Sequence, residues 1–189
     1  RDLTVTGVQT CALPIYMVEV STADAPLQEM VTQGDNVNLD DVPTVITSEN
    51  DGGRYLASGM AVIRDPETGQ LNVSIHRQQI FDRNTTGMIM VPRHARAIYD
   101  KYCAKNEPMP IAFFYGVHPA IFFSASVTTR MGLNALTIAG SLLGEGVRTV
   151  KCRTNDLVGP AEAEMVLEGV VMPNETRPEG PFGEIVGTY

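Results

Sequence analysis

Hydrophobic and polar residues alternate over residues 71–76, which predicts a strand with one face buried. The apolar members are Leu71, Val73 and Ile75, and the polar members are Asn72, Ser74 and His76. A guanidinium follows at Arg77, where the predicted strand ends. One face of this strand therefore carries an amide, a hydroxyl and an imidazole, with a cation beside them.

The remaining patterns predict a chain in which strands outnumber helices. Further strands are predicted over residues 54–63, 87–91, 111–115, 147–152 and 164–171. Helices are predicted over residues 92–105, 119–123 and 135–143, with prolines at the first two starts and Asn134 and Gly144 as caps of the third. A turn over residues 65–69 joins two strands into a hairpin over residues 54–77. We therefore predict an α+β domain built on a strongly bent sheet or barrel.

Composition narrows the class of protein. The 189 residues carry a formal net charge of -8 and are 43% hydrophobic, which is enough for one packed domain. The acidic balance argues against nucleic acid and anionic membrane surfaces as partners. No apolar run approaches a membrane span. Cys11, Cys103 and Cys152 have no paired spacing, so a reducing cytoplasm is the expected location.

Both ends of the chain are expected to be incomplete. Residues 5–15 match the in-frame translation of a common sequencing-library adapter, so we interpret residues 1–15 as an artefact rather than native sequence. Residues 16–45 are expected to be the tail of a truncated N-terminal domain and a linker. Residues 46–189 are expected to form the main domain, which stops without a helix end or polar tail and is therefore predicted to be cut at its C-terminus.

Two stretches carry candidate chemistry. Residues 72–77 suit a bound phosphate, metal or carboxylate, although a solvated sheet face with Arg77 at its rim explains them equally well. Residues 179–184 place Glu179 and Glu184 around two glycines and a proline, so that a shaped loop can hold both carboxylates near one point. Their like charges would raise the pKa of one carboxyl group, and an arginine beside them would lower the pKa of the other. One carboxyl group could then act as an acid and the other as its orienting partner. An exposed acidic loop is the alternative.

A third candidate lies at the start of a predicted helix. His94 follows Pro92 and Arg93, and helix-start amides with a guanidinium and an imidazole suit a phosphate or a metal. A plain surface histidine is the alternative. No P-loop, Rossmann fingerprint or nucleophile elbow is present.

Taken together, these motifs resemble the UbiD-type decarboxylases, which use prenylated flavin mononucleotide. The ordered set is Asn72-x-Ser74-Ile75-x-Arg77, Pro92-x-His94, Val150-Lys151-Cys152, Glu168-Gly169 and Glu179-Gly180-Pro181-Phe182-Gly183-Glu184, preceded by Asp51-Gly52-Gly53-x-Tyr55 and Asp65-Pro66-x-Thr68-Gly69. The resemblance covers about residues 35–189. It implies a split β-barrel flavin-binding domain, flavin-reductase-like with inserted helices, between an N-terminal domain and a C-terminal oligomerisation domain.

The resemblance also implies an activity and a set of residue roles. The activity is non-oxidative, reversible decarboxylation of aromatic or α,β-unsaturated carboxylic acids, in which the prenylated flavin takes up the charge left by departing carbon dioxide. Arg77 would hold the substrate carboxylate, Glu179 would orient Arg77, and Glu184 would protonate the product carbon. The cofactor-binding residues would be Asn72, Ser74, Ile75, Arg77, Arg93 and His94. Implied partners are a flavin prenyltransferase as cofactor supplier and further copies of the chain.

One position departs from the family pattern. Asn72 and His94 would ligate Mn²⁺ or Mg²⁺, but the family's third ligand, a glutamate, falls on Ala135. Asn134 or a water would have to substitute, and a potassium site near residues 124–127 that shares the glutamate is affected equally. A flavin-binding module without catalysis is therefore the main alternative, and a plain flavin reductase on a similar barrel is another.

The strand's own pattern raises a geometric question. Arg77 is out of phase with Asn72 and Ser74, which share a face. Either the strand bulges or twists after Ile75, or Arg77 reaches the site from the strand's end.

Overall fold

The computed structural model describes residues 15–184 and 186–188. Its larger sheet is antiparallel and consists of β2 (Tyr55–Arg64), β3 (Leu71–Ile80), β4 (Thr86–Met88), β5 (Met109–Tyr115) and β8 (Met165–Val171). Among the described residues the strand order is β4-β3-β2-β5-β8. The predicted hairpin is present as β2 and β3, whose connection is closed by the Asp65 carboxylate accepting from the Glu67 amide at 2.9 Å.

A smaller sheet and three helices complete the part of the fold that the structure describes. The smaller sheet has the order β1-β6-β7, with β1 (Val18–Glu19) parallel to β6 (Arg148–Lys151) and β7 (Val158–Pro160) antiparallel to β6. The helices are α1 (His94–Lys105), α2 (Pro119–Ser126) and α3 (Ala135–Leu143). Four 3₁₀ turns occupy Thr22–Asp24, Pro26–Gln28, Gly34–Asn36 and Leu39–Asp41.

The larger sheet is covered on both faces, which explains the unbroken apolar run in β2. Met60 and Val62 face one core, which includes α2, α3 and the smaller sheet. Ala61 and Ile63 face a second core, which is built mainly with α1. The sheet is therefore the middle layer of a fold that mixes strands and helices, which agrees with the predicted α+β class.

Several predicted boundaries were wrong by a few residues. β3 continues to Ile80 instead of ending at Arg77, and β4 ends at Met88 instead of residue 91. α1 begins at His94, two residues after Pro92, and α2 continues to Ser126. β7 was missed, since Gly159 and Pro160 are residues that strands normally avoid. α3 has the predicted caps: the Asn134 side chain accepts from the Leu136 amide, and Gly144 is left-handed.

Residues 15–45 pack against the domain. β1 pairs with β6, the Leu27 amide donates to the Ala161 carbonyl at 3.2 Å, and Leu27 and Leu39 are buried in the two cores. The boundary between residues 45 and 46 stays a prediction. The interpretation of residues 1–15 as an adapter artefact falls almost wholly outside the described residues.

Two negative findings concern the described residues alone. None of their helices is long and apolar enough to cross a membrane. Cys103 and Cys152 are free thiols, and Cys152 is buried.

Candidate active site

Arg77 lies inside β3, opposite an irregularity in the neighbouring strand. Leu56 pairs with Gln78 and Gly59 pairs with His76, so the two β2 residues between Leu56 and Gly59 both oppose Arg77. Such a bulge adds one residue to β2 and leaves β3 in phase. Arg77 therefore lies on the face of Ile75, opposite the face of Ser74. The bulge is in β2 and not in β3, and β3 continues past Arg77, so neither a bulge of β3 nor a strand end explains the position of Arg77.

Arg77 forms a fork with the two carboxylates of the 179–184 loop. Its Nε donates to Glu179 Oε1 at 2.9 Å, its Nη2 donates to Glu179 Oε2 at 3.1 Å, and its Nη1 donates to Glu184 Oε1 at 2.7 Å. The side chains of Arg77, Glu179 and Glu184 are 21%, 10% and 52% exposed. Glu179 is thus the fixed partner, whereas Glu184 reaches toward solvent. The hydrogen bonds to Glu179 raise the pKa of Arg77, which keeps the guanidinium charged.

Two aromatic rings enclose this ion pair. The guanidinium of Arg77 lies 4.6 Å from the centroid of the Phe182 ring, and Phe182 packs edge-on against Tyr55 with centroids 4.6 Å apart. A ring in the position of Phe182 favours the charge of the guanidinium, and Tyr55 supports that ring. Burial, aided by the charge of Glu179, raises the pKa of Tyr55 to about 12. Tyr55 therefore stays neutral beside Glu179 at ordinary pH.

A hydrogen-bonded row runs along the other face of β3. Asn72 Nδ2 donates to Ser74 Oγ at 3.3 Å, and Ser74 Oγ lies 3.0 Å from His76 Nε2. His76 Nδ1 lies 3.3 Å from the Ile89 carbonyl oxygen, which can only accept. Nδ1 therefore carries the proton, Nε2 accepts from Ser74, and the Asn72 amide is oriented with its Oδ1 outside this row.

Stability is expected to depend on the protonation of His76. Burial lowers the pKa of His76 below 6.5, so the unfolded chain binds a proton more readily than the folded chain. The His76 contribution is therefore complete above pH 6.5 and falls as pH decreases below it. Urea unfolding of the wild type and of His76→Gln should give a wild-type advantage that is smaller at pH 5.5 than at pH 7.5. His94 and His118 are present in both proteins, so their effects on the free energy of unfolding cancel in the comparison. An equal advantage at both pH values would contradict the lowered pKa of His76.

Asn72 and His94 border one small recess. Its wall also includes Asp65 and Gln70. Arg93 is exposed at the N-cap of α1, where no side chain caps the helix and no acidic residue lies in the first turn. The α1 amides and the guanidinium are thus disposed toward an anion. Helix-start amides with a guanidinium beside them are the kind of donors that bind a phosphate group.

The third metal ligand that the family resemblance implies is absent, because position 135 is an alanine. Ala135 is 5% exposed and lies in the apolar core at the start of α3. Asn134 is no substitute, because its Oδ1 accepts from the Leu136 amide and its Nδ2 faces Met17 Sδ. Among the described residues no group of three His, Cys, Asp or Glu side chains could hold a metal. Two uncharged ligands fit a hard divalent cation poorly.

At the predicted potassium position, Ser124 is hydrogen-bonded within the chain. Ser124 Oγ donates to the Ala120 carbonyl at 2.8 Å, and the Ser124 carbonyl accepts from the Val127 amide at 3.3 Å. Ile75, also predicted to line the flavin, is partly buried against the first core.

The structure adds residues that sequence reasoning had not assigned a role. Tyr55 and Phe182 enclose the ion pair, and Gln79 and Asp51 contact the 179–184 loop. Gln79 could have been found by parity, because residues 77 and 79 of one strand share a face. The alternation over residues 71–76 predicts a strand that ends at Arg77, so Gln79 lies outside it.

The chain is similar to known proteins in both sequence and fold. The sequence model of the UbiD family, described as 3-octaprenyl-4-hydroxybenzoate carboxy-lyase Rift-related domain, matches residues 18–189. Ferulic acid decarboxylase 1 of Saccharomyces cerevisiae is 36% identical over 178 residues, which are 92% of this chain and 35% of that protein.

Two solved structures are similar in both fold and sequence. An evolved dimeric form of the UbiD-class enzyme HmfF from Pelotomaculum thermopropionicum, in complex with prFMN, has a TM-score of 0.92 at 36% identity, covering 96% of this chain and 42% of that one. Vanillic acid decarboxylase of Sedimentibacter hydroxybenzoicus in closed form has a TM-score of 0.89 at 35% identity, covering 93% and 38%. The chain spans well under half the length of these relatives. It belongs to the UbiD family.

Proposed function

We propose that the intact gene product catalyses non-oxidative, reversible decarboxylation of an aromatic or α,β-unsaturated carboxylic acid with prenylated flavin mononucleotide. The observation that carries the proposal is the Arg77 fork with Glu179 and Glu184. A fixed guanidinium and a half-exposed carboxylate, enclosed by two aromatic rings, suit a substrate that must lose a carboxylate and gain a proton. The relatives named as decarboxylases support the same reaction class.

Each member of the fork has a distinct role. Glu179 occupies Nε and Nη2 and fixes the plane of the guanidinium. Glu184 occupies Nη1 with a half-exposed carboxylate, and thus marks a position that a substrate carboxylate can take. Once displaced, Glu184 in its protonated form gives its proton to the carbon that carbon dioxide has left. The cofactor, when bound, supplies the electron sink for that carbon.

The cofactor is proposed to lie against the edge of β3. β4 pairs only with Gln78–Ile80, so within the described residues the 71–77 part of β3 has a strand partner on one edge alone. A ligand at the other edge can contact side chains of both faces. Asn72, Ser74, Arg93 and His94 would hold the phosphate end, and Ile75 and Arg77 would line the flavin. The split-barrel, flavin-reductase-like form of the domain remains part of this proposal.

We expect that restoring the missing ligand increases metal binding. Ala135→Glu places a carboxylate where the family has one, and should raise bound Mn²⁺ to about one per chain, as three ligands with one charge suit a hard cation. Ala135→Gln is the matched control, because it has the same size without the charge. Elemental analysis of both variants and the wild type makes the comparison. Equal manganese in all three would show that position 135 does not face the metal site.

Two other functions lead to different observations. A flavin-binding module without catalysis, favoured by Ala135, would bind prenylated flavin without releasing carbon dioxide. A flavin reductase would carry unprenylated flavin, so the mass of the bound cofactor distinguishes it. The test of the proposed function is carbon dioxide release from cinnamate-like and hydroxybenzoate-like acids by the intact, cofactor-loaded gene product. A flavin prenyltransferase as supplier, a homo-oligomer and a cytoplasmic location belong to the same proposal.

A further inference from the structure

The backbone between the two carboxylates is fastened to a turn more than a hundred residues earlier in the chain. The Gly52 amide donates to the Pro181 carbonyl at 2.7 Å, and the Gly183 amide donates to Asp51 Oδ1 at 2.7 Å. The Gly180 amide donates to Gln79 Oε1 at 2.9 Å. Backbone groups at three of the four positions between Glu179 and Glu184 therefore have a partner outside the loop. The loop is positioned by its main chain, which leaves its carboxylates free for Arg77.

Gln79 joins the turn to the loop. Its side chain accepts from Gly180 through Oε1 and donates to the Gly52 carbonyl through Nε2 at 2.9 Å. Gln79 is 6% exposed and lies two residues from Arg77 on the same face of β3. One strand therefore supplies the guanidinium and also the amide that fixes the distance of the loop from it.

Asp51 makes the turn rigid. Its Oδ2 accepts from the Thr47 amide at 3.1 Å, the Thr47 hydroxyl at 2.8 Å and the Ser48 amide at 2.9 Å, while Oδ1 holds Gly183. These hydrogen bonds, with that from Gly183 the strongest, lower the pKa of Asp51. The carboxylate is thus ionised, and acts as an acceptor for both segments.

The contact between turn and loop is too close for a side chain. A Cβ on Gly52 would lie 2.2 Å from the Gly180 carbonyl oxygen. Gly180 itself has a φ of +108°, which residues with a side chain rarely adopt. The two glycines are therefore required by the docking of loop against turn.

We infer that Gln79 and the Asp51-Gly52 turn are positioning residues for the decarboxylation site: they hold the 179–184 loop so that both carboxylates meet Arg77. They touch neither substrate nor reacting atoms in the proposed reaction, and their catalytic effect rests on the proposed function. Their effect on the Arg77 fork does not depend on the proposed function, because the fork is present in the chain itself.

Gln78 offers a matched control. It is the same residue type in the same strand, is 2% exposed, and bonds Tyr115 and Thr86 on the opposite face. Gln78→Leu and Gln79→Leu each remove a buried amide and its hydrogen bonds. A purely structural role predicts equal consequences for the two variants.

The test is hydrogen exchange of the Arg77 Nε proton, measured by NMR on the 189-residue chain and assigned with Arg77→Lys. We expect exchange about tenfold faster in Gln79→Leu than in the wild type, and unchanged in Gln78→Leu, because only the former releases the loop. Equal exchange in the two variants would overturn the inference, whatever the reaction of the intact protein.

A second variant keeps the inference testable if Gln79→Leu does not fold. Asp51→Asn is this second variant. Its side chain keeps one acceptor oxygen for the Gly183 amide, but it loses the second oxygen, which holds Thr47 and Ser48. Faster Arg77 exchange in this variant supports the inference, and exchange at the wild-type rate overturns it.

In the intact, cofactor-loaded protein the same pair of glutamine variants should separate kcat from KM. A loop displaced by a fraction of an ångström misplaces Glu184, so Gln79→Leu should lower kcat about tenfold or more with KM changed little. Gln78→Leu should leave both parameters close to the wild type. If Arg77 exchange is faster in Gln79→Leu but kcat is unchanged, Gln79 anchors the loop and the anchoring does not affect catalysis.

Discussion

Glu184→Gln is expected to lower decarboxylation by about 10²- to 10⁴-fold in the intact, cofactor-loaded protein, which is the usual value of a positioned proton donor. Glutamine keeps the shape of the side chain and an oxygen that can accept from Arg77 Nη1, but it has no proton to give to carbon. Since Glu184 is half exposed, the change should leave stability nearly unaffected. The loss should appear in kcat, measured as carbon dioxide release.

Glu162→Gln is the matched control for this substitution. Glu162 is also an exposed carboxylate paired with an arginine, Arg148 of β6, and it is not part of the fork. Its replacement should not change the rate. Undiminished release by Glu184→Gln would remove Glu184 from the reaction, whereas an equal loss in both variants would point to a general effect of charge.

Arg77→Met is expected to destabilise the chain by about 3 kcal/mol, because it leaves a buried carboxylate without its cation. Glu179 is only 10% exposed and has two hydrogen bonds from Arg77. Methionine retains much of the volume but none of the donors. Urea unfolding of the 189-residue chain measures the difference, and activity of the intact protein should be lost as well.

A double substitution separates the buried charge from the lost packing. Adding Glu179→Gln to Arg77→Met removes the unpaired carboxylate, so the double variant should recover part of the stability. The stability of Arg77→Lys should lie between those of the wild type and Arg77→Met, since an ammonium keeps the charge but lacks the forked geometry of a guanidinium. A loss under about 1 kcal/mol in Arg77→Met, with no recovery in the double variant, would mean that the fork contributes little to the fold.

The fold was predictable where local patterns decide it. The β2–β3 hairpin and the caps of α3 follow from alternation and from turn and cap residues. β7 could not be found in this way, because Val158-Gly159-Pro160 is stabilised by its pairing with β6 and not by its own composition. The β2 bulge was hidden for the same reason, since a register shift depends on two strands at once.

The site was predictable only in part. Arg77 and Glu179 are 102 positions apart, so no periodicity connects them, and their association came from the resemblance to a family. Spacing in the 179–184 loop indicated two carboxylates near one point but gave no partner for its backbone. That partner, the 51–52 turn with Gln79, depends on tertiary contacts. Likewise, the loss of a metal ligand at Ala135 and the use of Asn134 as a helix cap were both visible in the sequence, whereas the contact of the Asn134 amide nitrogen with Met17 was not.

The most direct test of the proposed function is the reaction in deuterium oxide, with the intact gene product loaded with prenylated flavin mononucleotide. We expect one carbon dioxide per product molecule, and one deuterium on the carbon that lost the carboxylate, delivered by Glu184 after exchange with solvent. Protein loaded with unprenylated flavin should give neither. Bound prenylated flavin with no carbon dioxide from any cinnamate-like or hydroxybenzoate-like acid would contradict the proposal and identify the protein as a flavin-binding module.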